Sequence, residues 1–225
     1  TTIASPPVTF NAEHIMRASD GYVFLTGSLD QKAALYSNNG SGVPTTLIRY
    51  SASQAADNVF KGSRTSPSDP SIIYAYGKDG SSANFYRYDG HGTGPSIDPF
   101  TVGGASPLNQ VNDIAVATSS GDIYYGLNTI GVYKSNTAPS NGTQVLSAGT
   151  ILSMAINPAV PSVVYAAGNG GIWKTANSGT SWSQIRTGVT KKVVMHPSFA
   201  NDGDFVFAIT DDGNKIYRYA YGAWE

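Results

Sequence analysis

Carboxylate pairs are the first side chains in this sequence that could do chemistry. The 225-residue chain has only two glutamates, Glu13 and Glu225, and its other side-chain carboxylates are aspartates. Glycoside hydrolysis needs two carboxyl groups at a fixed separation, one acting as acid and the other as base or nucleophile. Glu13 and Asp57 each stand near the start of a strand-like segment, so they are the pair to test for that chemistry. The competing interpretation is that most aspartates here are turn residues, as in Lys-Asp-Gly and Asp-Asp-Gly.

Metal and thiol chemistry have little support in the sequence. Cysteine is absent, which excludes thiol catalysis, zinc–thiolate sites and disulfides. The three histidines, His14, His91 and His196, include no two at a metal-chelating spacing. Residues 201–204 (NDGD) lack the ligand count and the distal glutamate of an EF-hand loop. We therefore expect no metal site and no cofactor.

Aromatic and small polar side chains are the material for a binding site. The chain has 14 Tyr and 3 Trp together with many Asn and Ser. Aromatic faces combined with neutral donors and acceptors suit carbohydrate rings, although most aromatics are expected to form core. Several weak sites on repeated units would add up through avidity. The candidate binding residues are Tyr50, Asn109, Gln110, Asn128, Asn169, Tyr221 and Trp224.

The charge balance excludes several classes of partner. The chain has 14 Lys and Arg against 15 Asp and Glu, and only 13% of residues are charged. This gives no basic field for a nucleic-acid backbone or an anionic lipid surface. No apolar run approaches the roughly 20 residues of a membrane helix. Asn39 and Asn141 begin glycosylation sequons. We expect a secreted or cell-surface protein without nucleic-acid partners or membrane insertion.

Internal repetition predicts the fold. Five short β-branched and aromatic segments recur at intervals of 41 to 50 residues, and each is followed by a second segment with its own aromatic. The first series is Phe24, Tyr74, Tyr124, Tyr165 and Phe207, and the second is Tyr36, Tyr86, Tyr133, Trp173 and Tyr217. Further strand-like segments stand before and after most of these hairpins, separated by Gly, Asn, Asp, Ser and Pro. No window of helical length keeps a helical apolar period.

Four-stranded units of this length are typical of propeller blades. The sequence therefore predicts an all-β, five-bladed β-propeller in a single domain, residues 1–225, with repeats at about 12–55, 56–104, 111–149, 150–188 and 189–225. The last repeat ends where its outer strand should begin. We expect the N-terminal strand, residues 7–11, to complete that blade and close the ring. The alternative is that the chain is part of a larger propeller or multidomain protein.

One hairpin carries a recognisable motif. Residues 175–182 read Thr-Ala-Asn-Ser-Gly-Thr-Ser-Trp, which resembles the bacterial-neuraminidase repeat, or Asp-box, with Asn in the Asp position. That family includes sialidases, xyloglucanase-type glycoside hydrolases and sortilin-like receptors. The resemblance implies a propeller in which Thr175, Asn177, Gly179 and Trp182 brace a hairpin on the face opposite the binding site. These four residues are then structural, and the tryptophan is expected to pack across its own hairpin.

The resemblance leaves several functions open. The arginine signature of sialidases is missing, and one five-bladed domain cannot form the cleft between tandem propellers that xyloglucanase-type enzymes use. The predicted function is a non-catalytic extracellular recognition or adhesion domain that binds glycans or another cell-surface ligand. The alternatives are a glycoside hydrolase, or a fragment of one, and a structural domain of a surface assembly with protein partners.

Overall fold

The structure is a computed structural model that describes residues 10–29, 32–38, 46–50, 59–79, 83–90, 96–97, 111–118, 120–135, 142–196, 205–211 and 215–225. The elements in these ranges are β-strands, and they form five antiparallel sheets. Each sheet contains four strands that are consecutive in the chain. The prediction of an all-β chain built from five antiparallel units is confirmed at this level.

The chain divides into two compact units, residues 1–111 and 112–225. Two sheets lie in the first unit. Sheet 1 contains β1 (Phe10–Arg17), β2 (Val23–Leu29), β3 (Lys32–Asn38) and β4 (Thr46–Tyr50). Sheet 2 contains β5 (Val59–Thr65), β6 (Ile73–Asp79), β7 (Ala83–Tyr88) and β8 (Ser96–Ile97).

The other three sheets belong to the second unit, apart from the first residue of β9. Sheet 3 contains β9 (Val111–Val116), β10 (Ile123–Leu127), β11 (Gly131–Ser135) and β12 (Thr143–Leu146). Sheet 4 contains β13 (Ile151–Ile156), β14 (Val164–Gly168), β15 (Gly171–Thr175) and β16 (Ser183–Thr187). Sheet 5 contains β17 (Thr190–Met195), β18 (Val206–Thr210), β19 (Ile216–Ala220) and β20 (Ala223–Trp224).

The first aromatic series occupies one structural position in all five sheets. Each member lies on the second strand of its sheet, and its cross-strand partner is the residue just after the aromatic of the second series. The pairs are Phe24–Ser37, Tyr74–Arg87, Tyr124–Lys134, Tyr165–Lys174 and Phe207–Arg218. Because one residue along a strand reverses the face of the side chain, the two aromatic series lie on opposite faces of each sheet.

Within each unit the two series face neighbouring sheets. Phe24 packs in a core shared with sheet 2, Tyr124 in a core shared with sheet 4, and Tyr165 in a core shared with sheet 5. The second series faces the other way, since Tyr86 packs against sheet 1 and Trp173 against the core of sheets 3 and 4. The aromatic repeat is therefore the packing repeat of successive sheets.

The fifth repeat departs from this pattern at one aromatic. Phe24, Tyr74, Tyr124 and Tyr165 are at most 1% exposed, whereas Phe207 is 37% exposed. Phe207 lies on the face of sheet 5 that points away from sheet 4, beside the exposed side chains of Ile209 and Ile216. The repeat in the sequence predicts that Phe207 is buried. Its burial, however, depends on what covers the face of sheet 5 that points away from sheet 4.

Bulges also repeat at matching positions. The first two strands shift register once in sheets 1, 2, 4 and 5, and the extra residues are Glu13, Lys61, Leu152 and Lys191. The third and fourth strands shift between Leu35 and Tyr36, Val132 and Tyr133, and Ile172 and Trp173. Bulges increase local twist and redirect side chains, so the same twist is introduced at the same place in successive sheets.

The expected role of the N-terminal segment is not observed in the described residues. The fourth strand of sheet 5 is β20, which pairs with β19 through Tyr219–Trp224 and Ala220–Ala223. Phe10 and Asn11, which were expected in the closing strand, instead belong to β1 and pair with β2. Residues 7–9 lie outside the described residues. The C-terminus supplies the fourth strand because Tyr221 and Gly222 both adopt positive φ, as a two-residue hairpin turn requires.

Candidate binding groove between the fourth and fifth sheets

An open groove of about 490 Å³ lies where the outer strands of sheets 4 and 5 meet. Its lining consists of Gln184, Ile185, Arg186, Thr187 and Trp224. Four of these residues are consecutive on β16, and the fifth comes from β20. The groove therefore combines an amide, an alcohol, a guanidinium and an indole on one surface of the second unit.

Trp224 is held in place from both sides. Its indole Nε1 donates a hydrogen bond of 2.9 Å to the carbonyl oxygen of Ile185, and its ring centroid lies 5.0 Å from that of Tyr219. Backbone hydrogen bonds between Arg218 and Glu225 continue the pairing beyond β20, and the side chains of these two residues form an ion pair. The two-residue strand β20 is thus held by the hydrogen bond from Trp224 to sheet 4 and by the backbone pairing of Glu225 with Arg218.

Arg186 is held by aromatic rings. Its guanidinium carbon lies 3.8 Å from the centroid of Tyr217 and 5.7 Å from the centroid of Trp224. Lys174 also lies against two aromatic rings, with its Nζ 5.7 Å from the ring centroid of Tyr165 and 6.0 Å from the ring centroid of Tyr219. Two cations therefore lie against aromatic rings at the junction of sheets 4 and 5. Contact with an aromatic ring restricts the orientation of a planar guanidinium.

The third strand of sheet 4 needs a glycine at its first residue, where it lies close to the backbone of the groove strand β16. Gly171 has φ of 139°, and a Cβ there would collide with the carbonyl oxygen of Arg186. Gln184 adds a further tie, because its Nε2 donates 2.8 Å to the carbonyl oxygen of Gly170. The equivalent Gln144 in sheet 3 donates 2.6 Å to the carbonyl oxygen of Ile130. An outer-strand glutamine thus joins the preceding hairpin turn in two successive sheets.

The Asp-box-like turn lies between β15 and β16. The Oγ1 of Thr175, a residue 1% exposed, accepts 3.0 Å from the N–H of Gly179 and donates 2.9 Å to the Oδ1 of Asn177. The same Oδ1 accepts 2.9 Å from the N–H of Ser181, while Asn177 Nδ2 donates 2.8 Å to the Ser181 hydroxyl. Asn177 therefore performs the acceptor role that an aspartate would have in this turn.

The turn also contacts the preceding sheet. Trp182 is half-buried and packs against the core between sheets 3 and 4, so its packing extends beyond the hairpin that the sequence predicted. Lys134 Nζ donates 3.1 Å to the carbonyl oxygen of Ser178 and forms a 2.8 Å ion pair with Asp122. Burial acts to lower the pKa of Lys134, but the hydrogen-bonded Asp122 and the adjacent Tyr124 reverse this, and the pKa lies above its ordinary value.

The predicted binding residues are distributed over several places. Trp224 lines the groove, while Tyr221 is 80% exposed on the adjacent turn and packs edge-on against Phe205 at 5.5 Å. The turns of Asn128 and Asn169 meet at Thr150, whose hydroxyl oxygen accepts 3.1 Å from the N–H of Thr129 and whose carbonyl oxygen accepts 3.1 Å from the N–H of Asn169. The backbone of Tyr50 ends β4. Outside the described residues lie Asn109, Gln110, Asn39 and Asn141.

The predicted carboxylate pair of Glu13 and Asp57 is not tested, because only Glu13 is among the described residues. Glu13 forms an ion pair of 3.7 Å with Lys61, and Asp57 lies outside the described residues. In the second unit, the carboxylate of Asp113 is only 2% exposed and contacts Ser153 and Lys192. In the described part of the chain, no three His, Asp or Glu side chains lie close enough together to hold a metal ion. No helix in that part is long and apolar enough to cross a membrane.

Sequence reasoning missed Gln184, Arg186 and Tyr217 as site residues. Tyr217 was assigned to the packing repeat, which it follows in register. A signal for Gln184 existed, since Gln144 and Gln184 stand 40 residues apart at one position of the repeat. Arg186 carries no such signal, because its ring contacts come from residues 31 and 38 positions further along the chain.

Comparison with solved structures identifies the fold as a β-propeller. A Niastella koreensis GH74 enzyme matches 92% of this chain and 36% of its own, with a TM-score of 0.68 and 16% identity. An ancestral GH74 enzyme matches 100% of this chain and 32% of its own, with a TM-score of 0.66 and 14% identity. A nidogen/laminin complex matches 93% and 76%, with a TM-score of 0.63 and 10% identity. The chain spans about a third of the length of the two GH74 chains. No protein-family model matches the sequence, and no curated protein matches it.

Proposed function

We propose that the protein is an extracellular, non-catalytic recognition propeller that binds carbohydrate in the groove between sheets 4 and 5. The observation that carries this proposal is the stack of Trp224, Arg186 and Tyr217 with Gln184 and Thr187 alongside. Ligand sites combine apolar and aromatic surface with a few placed polar groups, and this groove has both. Its open form suits a segment of a polymer better than a small molecule that must be enclosed.

The chemistry of the groove favours a sugar ring over a purely apolar ligand. The indole of Trp224 offers a flat surface for C–H groups while its N–H is already bonded to Ile185. The hydroxyl of Thr187 and the amide of Gln184 lie on the same strand and supply neutral polar contacts. A single shallow groove gives weak binding, so useful affinity requires multivalent ligands or several copies.

The test is a glycan-array binding screen on the wild type, Trp224→Ala and Trp224→Phe. We expect the alanine variant to bind about tenfold or more weakly, because the stacking surface is lost, and phenylalanine to retain part of the affinity. Phe207→Ala is the matched control, since it removes a half-exposed aromatic from the opposite face of sheet 5. Thermal unfolding of each variant separates lost binding from lost structure. Equal binding by folded Trp224→Ala would overturn the assignment of the groove.

Glycoside hydrolysis is the second candidate function, and the likeness to two GH74 enzymes is the observation that favours it. The same screen therefore includes an assay for newly released reducing ends. Cleavage would replace the non-catalytic proposal and make Glu13 and Asp57 the first residues to substitute. If neither glycan binding nor cleavage is detected, the third candidate is favoured, which is a domain that binds protein. A solved structure similar to this chain is that of a nidogen/laminin complex.

A further inference from the structure

We propose that residues 221–225 form a strap that opens and docks on sheets 4 and 5, and that docking of this strap and carbohydrate binding stabilise each other. The strap comprises the turn of Tyr221 and Gly222, the strand β20 and Glu225. This inference rests on the proposed function and adds a conformational control of the same site. Three features of the strap support it: its place in the groove, its short attachment to sheet 5 and the strain in its turn.

The strap supplies one side of the groove. Four consecutive lining residues, 184–187, lie on β16 of sheet 4, and Trp224 is the lining residue that comes from sheet 5. The indole N–H of Trp224 also joins the two outer strands, because it donates 2.9 Å to the carbonyl oxygen of Ile185. When the strap leaves this position, β16 keeps its four lining residues, but the aromatic surface for stacking is lost. A complete groove therefore requires a docked strap.

The strap is attached to its own sheet over a short length. β20 pairs with β19 through Ala223 and Trp224, and the backbones of Arg218 and Glu225 exchange hydrogen bonds of 2.9 and 2.8 Å. The side chains of Arg218 and Glu225 form an ion pair, but they are 46% and 57% exposed, so the pair adds little stability. A segment with few strand hydrogen bonds and little buried surface opens at a lower free energy than the centre of a sheet.

The turn before β20 is strained at a residue that is not glycine. Tyr221 has φ of 51°, and Gly222 has φ of 84°. The left-handed region disfavours residues with a Cβ, and two-residue hairpin turns of this kind favour Asn-Gly. The ring of Tyr221 is 80% exposed and contacts Phe205 edge-on at 5.5 Å. The contacts of Trp224 therefore have to offset the strain of the turn for the strap to dock.

Ligand binding and strap docking are then linked. Carbohydrate that stacks on Trp224 binds the docked strap and not the open one. A ligand stabilises the state that it binds, by an amount set by its concentration relative to its dissociation constant. Conversely, the apparent affinity falls with the fraction of molecules in which the strap is docked. The groove is therefore a site that its own ligand helps to complete.

Hydrogen exchange measured for single residues by NMR tests the strap without any ligand. The N–H of Arg218 bonds to the strap, whereas strand alternation directs the N–H groups of Tyr217 and Tyr219 toward β18. We expect the Arg218 N–H to exchange at least about tenfold faster than those two neighbours. Gly222→Ala should increase the Arg218 rate about tenfold further, because alanine is strained at this φ, although its Cβ would meet nothing within 4 Å.

Gly149→Ala is the matched control. Gly149 has φ of 70° in the same unit, and a Cβ there would also meet nothing within 4 Å, so the substitution adds similar strain away from the strap. We expect it to leave the ratio of the Arg218 and Tyr219 exchange rates unchanged. Equal exchange of Arg218 and Tyr219 in the wild type would overturn the inference, since the strap would then open only with its sheet. Equal acceleration of Arg218 by the two alanine variants would also overturn it.

The link to binding is tested with the glycan that the array retains most strongly, supplied as a soluble oligosaccharide. At about ten times its dissociation constant, it should slow exchange of the Arg218 N–H about tenfold. The control is the N–H of Ala18, which bonds to Tyr22 in the first unit and should exchange at an unchanged rate. Unchanged exchange at Arg218 with sugar bound would overturn the link and leave the proposed function intact. An array without any binding overturns the proposed function and the link together, while exchange in the free protein still decides whether the strap opens.

Discussion

The carboxylate of Asp113 on β9 accepts a hydrogen bond of 3.1 Å from the backbone N–H of Met154 on β13, 41 residues further along the chain. The same carboxylate accepts from the hydroxyl of Ser153 at 3.2 Å and lies 3.4 Å from Lys192 Nζ. Ser153 in turn accepts 3.3 Å from the N–H of Val193 on β17. A continuous polar chain therefore joins the inner strands of sheets 3, 4 and 5.

Substituting Asp113 should destabilise the second unit. We expect Asp113→Ala to lower the free energy of unfolding by about 3 kcal/mol, because buried donors on Met154 and Ser153 lose their acceptor. Asp113→Asn should cost less, since one carbonyl oxygen remains. Denaturant unfolding measures both. Asp211→Ala is the control: it breaks an exposed ion pair with Lys191, and we expect about 1 kcal/mol or less. Equal losses for Asp113→Ala and Asp211→Ala would contradict the role of the buried carboxylate.

The turn at residues 175–182 allows a direct test of its resemblance to an Asp-box. Asn177→Asp keeps the Oδ acceptor that Ser181 N–H and Thr175 Oγ1 use, so its free energy of unfolding should change by about 0.5 kcal/mol or less. Asn177→Ala removes the acceptor and should cost about 1–2 kcal/mol. Thermal unfolding of the pair measures the difference. An aspartate variant as unstable as the alanine variant would show that the amide N–H to the Ser181 hydroxyl, rather than the acceptor, holds the turn.

The free energy of unfolding should decrease at alkaline pH, because three tyrosines and one lysine hold their protons more tightly in the folded state than in the unfolded state. Burial raises the pKa of Tyr74, Tyr124 and Tyr125, and the Lys134 pKa is also raised. An unfolded tyrosine loses its proton near pH 10, whereas the buried one retains it to higher pH. The folded state therefore binds more protons above pH 10. The stability contributed by these groups is complete below that pH and is lost as the pH rises through their folded pKa values.

Tyr124→Phe tests this pH dependence, because phenylalanine has no proton to lose. Denaturant unfolding at pH 8, 10 and 11 should show a smaller loss of stability for the variant than for the wild type. Tyr221→Phe is the control, since it removes the same hydroxyl group from a side chain that is 80% exposed. If Tyr124→Phe loses stability with pH as steeply as the wild type, the ionisation of Tyr124 is not what destabilises the fold at alkaline pH.

Much of the fold was predictable from local patterns, and little of the groove was. Phe24, Tyr74, Tyr124 and Tyr165 were predicted as one series, and the structure gives them one register and one environment. Trp224 was predicted as a binding residue from its type and position. Arg186 and Gln184 were not, because a charged or amide side chain on an outer strand has no periodic signal and usually faces solvent. The N-terminal closing strand was predicted from a gap in the last repeat, but positive φ at Tyr221 and Gly222 lets the C-terminus form that strand.

The sequence by itself determined the all-β class, the number of repeated units and the turn chemistry of residues 175–182. These properties follow from alternation along a strand and from residues that favour turns, and both act within a few positions of the chain. Only the tertiary structure decided which aromatic faces are covered, so that Tyr165 is buried and Phe207 is 37% exposed. It also decided that Arg186, Tyr217 and Trp224 meet. Such contacts depend on how neighbouring sheets pack, and strand periodicity does not encode the distance between sheets.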